Sequence, residues 1–342
     1  MAPDQRSARY RGSCTPGHRA RVAASPRERP AGRPVSRDYP LRVRSHGRSR
    51  HTDRPVSAYR EHVAGVSEGA SGRPDARLRD YVLGYEGYLL HGFDPGTHVG
   101  MPSSVQTVLV TIDEPVDLPV SSHPDQPGGT WEMLASGLTV RPALIRHNGF
   151  QHGVQVALTP RGCRALFGIP AAALGSWVVD LREVLGASRA VELRERISGT
   201  ASWPARFAVF DEILLRHVEQ LPWDRELWHA WDLLTAPDPD IRVAAVADEI
   251  GWSRRHLGNR FTAEFGVTPK DAVRIARFER SHQLLRRPDA PVLSEAAVHC
   301  GYYDQAHMAR EWRELAGMPP SVWREQEEFP FVQDPQGAQA GR

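Results

Sequence analysis

Apolar residues follow two different spacings along the chain, and the change from one to the other divides it. From about residue 76 to 160, short runs such as "YVLGYEGYLL", "VQTVLVTI", "GLTVRPALIR" and "GVQVALTP" are rich in β-branched and aromatic residues and are parted by Gly, Pro or Asp. That is the pattern of strands in a small barrel or sandwich. After "LTPRGCRALFGIP" apolar positions fall three and four apart, so "AALGSWVVDLREVLG", "AVELRERIS" and "PARFAVFDEILLRHVEQL" predict helices. Phe207, Phe210, Ile213 and Leu214 share one face of the last of these, either for the domain core or for a contact between subunits. A Pro/Asp-rich break, "TAPDPDI" at 235–241, marks a boundary. Residues 1–72 have almost no apolar periodicity and are expected to be disordered, as is a tail at 331–342. The predicted fold class is therefore α+β in two domains. A β-rich, barrel- or sandwich-like domain with C-terminal helices spans 76–234, and an all-α domain spans 236–328.

The all-α domain is written twice. "VAAVADEIGW", ending at Trp252, aligns with "LSEAAVHCGY", ending at Tyr302, so Ala247 corresponds to Ala297 and Ile250 to Cys300. One inserted residue later, Leu257 matches Met308, Phe261 matches Trp312 and Gly266 matches Gly317, and "GVTP" aligns with "GMPP". Each half reads as helix, tight turn, helix. Gly251 and Gly301 can take the left-handed backbone that ends a first helix. Ser253 and Asp304 can cap the second. Leu257 with Phe261, and Met308 with Trp312, stand four apart and line a buried face.

The exposed positions differ between the halves. The first offers Arg254, Arg255, Gly258, Asn259 and Thr262; the second offers Gln305, Ala306, His307, Arg310 and Glu311. Arg can bond guanine in bidentate fashion, and Asn or Gln can do the same with adenine. Arg254, Arg255, Asn259, Thr262, Gln305, His307 and Arg310 are the candidate DNA contacts, and two unlike sets imply an asymmetric DNA site. Between the halves, "TPKDAVRIARFERSHQLLRR" predicts one amphipathic helix over about 269–286. At ~1.5 Å per residue it spans about 27 Å, a connector suited to successive major grooves ~34 Å apart.

Residues 236–328 resemble the AraC/XylS family of transcription regulators. The likeness is carried by "SRRHL" followed by Phe261, by "GVTP", by the connecting "RIARFERSHQLL", and by "GYYDQAHMAREW" with "GMPPSVWR". The resemblance implies two helix-turn-helix units in adjacent major grooves of double-stranded DNA. By position it makes Arg255, Gly258, Asn259 and Thr262 readers in the first unit, and Ala306, His307, Arg310 and Glu311 in the second. It also implies an effector-binding or dimerising β domain ahead of them, hence a small-molecule effector, a homodimer, and RNA polymerase as a partner if the protein is an activator. No effector residue transfers. Gly258 departs from the pattern, because it weakens a helix by ~1 kcal/mol relative to Ala and presents no side chain to a base. Tyr302 and Trp312 stand where the family usually has Phe.

Charge sharpens this picture. The formal net charge of +2 conceals fourteen Arg against four acids in residues 1–54. That basic tail is either a source of non-specific DNA affinity or simply solvated. Lys270 is the only lysine, a bias that a GC-rich coding genome would also produce. Residues 252–287 hold nine basic residues and three acids, whereas 288–330 hold three Arg and eight acids. The first unit should dominate phosphate attraction. Three scattered cysteines, Cys14, Cys163 and Cys300, argue against a disulfide framework or a zinc site and for a reducing cytoplasm, with Cys163 and Cys300 acting as small apolar residues. No run approaches the ~20 apolar residues of a membrane helix, and the N-terminus has no apolar signal core. His91, His98, His123, His147 and His152 lack ligand spacing and read as surface or turn histidines. No nucleophile with an evident base and no phosphate-cradling Gly loop occurs, so no catalytic residue, metal or cofactor is expected. The rival readings are a constitutive DNA-binding regulator whose N-terminal half only dimerises, and an enzyme or DNA-repair protein with an appended DNA-binding domain. A methyl-accepting repair protein would need a zinc-held Cys cluster, and Cys14 stands alone.

Overall fold

In the computed structural model, which describes residues 65–219 and 224–326, the period-two runs pair into two antiparallel sheets. The strands are β1 (Val66–Gly72), β2 (Val82–His91), β3 (Gly96–Gly100), β4 (Gln106–Thr111), β5 (Val116–Val120), β6 (Gly129–Trp131), β7 (Met133–Ser136), β8 (Ala143–His147), β9 (Gln151–Leu158) and β10 (Val178–Asp180). One sheet has the order β1-β2-β9-β4-β7-β10 and the other β3-β8-β5-β6. The arrangement is a sandwich of open sheets, not a closed barrel. Its two faces follow from strand alternation. Val108, Val110, Val154 and Val156 lie against helices in the largest apolar cluster. Leu134 of the same sheet meets Val116, Leu118 and Ala143 of the other.

Three expectations are corrected here. Residues 66–72 belong to β1, which pairs with β2 in register from Val66 with His91 to Gly72 with Tyr85; residues 1–64 and 327–342 lie outside the described residues. In "AALGSWVVDLREVLG" only Ala171–Leu174 and Leu181–Leu185 are helical, and Val178–Asp180 form an edge strand on β7. Two adjacent β-branched valines favour the extended chain, and Gly175 at φ 54° has already ended the helix. His98 and His147 are buried, with rings 5.8 Å apart, rather than on the surface. They sit on paired strands, where His98 faces Ile145 and His147 faces Gly96 across the ladder.

The helical layer of this half comprises α1 (Pro160–Phe167), α2 (Ala171–Leu174), α3 (Leu181–Leu185), α4 (Ala187–Ser198) and α5 (Trp203–Leu215). Phe207, Phe210, Ile213 and Leu214 of α5 are all buried in the cluster against the larger sheet. That face of α5 is core and not a subunit contact. Tyr85 fixes the packing, because its ring stacks 5.5 Å from both Phe207 and Phe210 while its hydroxyl donates to Asp211 at 2.7 Å. Cys163 lies inside the same cluster, where burial pushes its thiol up to about 12.

The remaining helices are α6 (Arg225–Thr235), α7 (Val243–Glu249), α8 (Arg254–Phe265), α9 (Pro269–Arg286), α10 (Leu293–His299), α11 (Gln305–Ala316) and α12 (Pro320–Gln326). They enclose two separate apolar clusters. Leu227, Trp228, Trp231 and Leu234 of α6 pack with Leu257, Phe261 and Phe265 of α8 and with Ala272 and Ile275 of α9. Phe278 and Leu285, further along α9, pack with Met308, Trp312 and Leu315 of α11 and Trp323 of α12. Helix α9 thus belongs to both clusters. Among the described residues no helix is long and apolar enough to cross a membrane.

Candidate nucleic-acid interface

The repeat in the sequence is a repeat in backbone geometry. Helices α7 and α10 each have seven residues, and α8 and α11 each have twelve. Gly251 and Gly301 follow the first helix of each pair at φ 72° and 81°, a region that disfavours any residue with a Cβ. The next amide closes the same bond in both turns, Trp252 N–H to the Ala247 carbonyl at 2.8 Å and Tyr302 N–H to the Ala297 carbonyl at 2.9 Å. Ser253 accepts from the His256 amide at 3.2 Å, and Asp304 accepts from the His307 amide at 2.6 Å. Gly266 and Gly317 then end the two second helices, each with φ 78°. The inserted residue of the second unit lies in the turn, so α8 and α11 align from their first residues.

Within each helix the structure sorts side chains by depth. Leu257, Phe261, Met308 and Trp312 are fully buried. The Trp312 indole N–H donates to Ser281 of α9 at 2.9 Å, tying α11 to the connector. Arg254, Arg255, Asn259 and Thr262 are exposed along α8, and Gln305 and Arg310 along α11. His307 is half-buried: its Nδ1 accepts from the Tyr303 amide at 3.2 Å and its ring stands edge-on to Tyr302. It serves the turn as well as the surface.

Glu311 is a correction. The sequence places it on the exposed face, but it is only 7% exposed. It accepts from Arg277 at 2.6 and 3.2 Å and from Arg274 at 3.3 Å, both on α9. Glu314, next along α11, also pairs with Arg274. The acidic second unit and the basic connector therefore neutralise one another inside the domain. Counting charges along the sequence overstated both the repulsion from one and the attraction from the other.

What remains on the outside is selective. Arg260 is held by Asp224, Arg274 and Arg277 by Glu311, Arg287 by Asp289, and Arg280 donates to the Ala236 carbonyl. Among the described residues Arg254, Arg255 and Arg310 form no ion pair. They stand on the outer faces of α8 and α11, where their full charge meets solvent. Arg313 is a position that choosing residues by type passes over: it is exposed and holds the ninth position of α11, as Thr262 does in α8. The alignment that pairs Phe261 with Trp312 and Gly266 with Gly317 also pairs Thr262 with Arg313.

The β domain grips these units at three places. Arg164 of α1 makes a two-pronged pair with the buried Glu264 of α8, both bonds 2.5 Å. Ser103 and Ser104, after β3, donate hydroxyl bonds of 2.6 Å to Glu279 of α9. Leu138 packs into the first helical cluster, Val99 and Met101 into the second, and Val140 against both. Between the two sheets lies a cavity of about 110 Å³, walled by residues of both, among them Leu109, Leu118, Leu134 and Ile145. Among the described residues no group of three or more His, Cys, Asp or Glu is placed to hold a metal ion.

Residues 246–326 match the family model described as a helix-turn-helix domain. The chain is 33% identical over 69 residues to the uncharacterised HTH-type transcriptional regulator YbfI of Bacillus subtilis (strain 168); the match covers 20% of this chain and 24% of that relative, so about a quarter of its length. Among solved structures, ToxT of Vibrio cholerae is similar over 70% of this chain and 96% of its own, with 10% identity and a TM-score of 0.44. A transcriptional regulator of Chromobacterium violaceum, titled as an AraC-type DNA-binding domain-containing protein, covers 31% of this chain and 95% of its own, with 24% identity and a TM-score of 0.29. Residues 246–326 form a helix-turn-helix domain.

Proposed function

We propose that the protein is a sequence-specific transcription regulator that reads an asymmetric site on double-stranded DNA and whose β domain takes a small-molecule effector. The observation that carries this reading is the sorting of cations. The connector's own Arg274 and Arg277 are consumed by Glu311 and Glu314, while Arg254, Arg255 and Arg310 keep unneutralised charge on the outer faces of α8 and α11. In this assignment Arg254, Arg255, Asn259 and Thr262 contact one half-site, and Gln305, His307 and Arg310 contact the other. A bidentate Arg–guanine contact is worth about 1–3 kcal/mol of discrimination. The effector acts only through a difference in its affinity for the DNA-competent arrangement and the alternative, and the cavity between the sheets is where we place it.

The test is selection of bound duplexes from a random pool by the full chain at moderate salt. The expected motif has two unlike parts about 10 base pairs apart, one helical turn. Arg255→Ala should erase preference in one part and Arg310→Ala in the other. No enriched motif, together with binding that vanishes as salt rises, would refute sequence-specific reading.

A further inference from the structure

We infer that the cavity between the two sheets receives a compact, uncharged ligand, and that the loop from Gly100 to Val105 carries its occupancy to helix α9. This deepens the effector reading above and rests on it. The ligand's class follows from the walls. Leucine, valine and isoleucine side chains line it together with Met101 and Ala143, and the polar groups among them are neutral: Thr107, Ser136, Gln151 and Gln155 among others. Among the described residues no Arg, Lys, Asp or Glu lines the cavity. A charged ligand would lose its hydration and find no counter-charge, whereas a neutral one with a hydroxyl or amide would find hydrogen-bond partners. His98, on the wall, is kept uncharged at neutral pH because burial holds it down to about 3. Size follows from volume. An apolar cavity of ~150 Å³ accommodates benzene, so about 110 Å³ suits a molecule no larger than that, about four to six non-hydrogen atoms.

The route follows from two short segments that each have two faces. Met101, Ser103 and Val105 line the cavity. Met101 also sits in the apolar cluster of the second helix-turn-helix unit, and Ser103 with its neighbour Ser104 bonds both oxygens of Glu279 on α9. Opposite them, Gly137 and Thr139 line the cavity while Leu138 and Val140 pack into the helical clusters. A ligand that displaces either segment from within must move a contact of the DNA-binding units. The serine–Glu279 bonds join the loop to the one helix that spans both units.

The experiment uses the full chain with 1-butanol and butyramide as neutral probes and butyrate as the anion matched in size to butyramide, each at millimolar concentration. Butanol or butyramide should raise the midpoint of thermal unfolding by at least about 2 °C, butyrate should not, and Ala143→Leu, which fills the cavity, should abolish the shift; Thr107→Leu serves if Ala143→Leu does not fold. Stabilisation by butyrate equal to that by butyramide, or by neither neutral probe, overturns the ligand class. For the route, the stabilising probe should change affinity for the selected duplex at least fivefold, within the usual range of coupling between sites. In Glu279→Ala, which removes the acceptor of both serines and lies outside the cavity wall, the thermal shift should persist and the affinity change should disappear. An unchanged wild-type affinity, or a full response in Glu279→Ala, overturns the route. A chain that selects no duplex sinks the regulator reading instead, while the thermal shift still decides the cavity.

Discussion

Replacing Glu311 with Gln should unfold the second helix-turn-helix unit more readily without changing which bases are read. The carboxylate lies between two guanidinium groups, bonded to Arg277 at 2.6 and 3.2 Å and to Arg274 at 3.3 Å. A glutamine keeps the shape but leaves those cations without their shared counter-charge, and breaking a buried pair in this way costs about 3–5 kcal/mol. Part of that is recovered. Arg274 keeps Asp271 and Glu314, and Arg277 keeps the Gly301 carbonyl and lies 4.8 Å from the centre of the Tyr302 ring. We therefore expect a loss of about 2 kcal/mol, or about 6 °C in the unfolding midpoint at ~2–4 °C per kcal/mol. Trp312 and Trp323, with rings 5.3 Å apart in this unit, report the transition by fluorescence in a urea titration. A cycle with Arg277→Gln should give a coupling of at least ~1 kcal/mol. A variant within about 0.5 kcal/mol of wild type that selects a different DNA motif would refute the reasoning and return Glu311 to the recognition surface.

Three further outcomes are expected. Gly251→Ala and Gly301→Ala should each cost about 1–2 kcal/mol for the left-handed backbone, and Gly301→Ala more, because its Cβ would meet Pro239 at 2.9 Å while that of Gly251 meets nothing within 4 Å; equal losses in urea unfolding would contradict the packing. Gly258→Ala should gain about 1 kcal/mol, since no atom lies within 4 Å of the added carbon, and a net loss in the same assay would show a clash that the structure lacks. Burial holds His98 and His282 down to about 3 when folded, against an ordinary 6.5. Between those values the unfolded chain binds protons that the folded chain refuses, so stability is full above pH 6.5 and falls as pH drops, by up to about 1.4 kcal/mol per pH unit for each histidine. Equal urea midpoints at pH 7 and pH 5 would refute this.

The helical domain was legible because its signals are local. A glycine at the turn, a cap two or three residues later and an apolar pair four apart act within one or two turns of chain, and each lies where the structure uses it. Glu311 was misread from its charge: it stands three residues after Met308 and four before Leu315, on the buried side of α11, and a carboxylate can sit there because Arg274 and Arg277, more than thirty residues away on another helix, pair with it. The β domain was less legible for the same reason. The stretch "VSEGASG" of β1 has no apolar alternation, and it is a strand only because β2 offers it an edge. Val178 and Val179 sit in a helical pattern and are drawn into the sheet by β7. The grip of Arg164 on Glu264 joins positions a hundred residues apart, and no sequence spacing announces it.

Helix α9 carries a constraint on how this protein can change over time. Its first half belongs to one apolar cluster through Ala272 and Ile275, and its second half to the other through Phe278 and Leu285. Inserting one residue between Ile275 and Phe278 would advance the second unit by only ~1.5 Å but rotate it by about 100° around the helix axis. Phe278 would then leave Trp312, its ring partner at 4.9 Å. Seven residues, close to two full turns, would restore the face but lengthen the ruler by about 10 Å. A substitution on α9 acts on the contacts of one side chain; an insertion or deletion acts on the whole second unit. The length of this helix, more than any single side chain on it, is what descent must leave untouched.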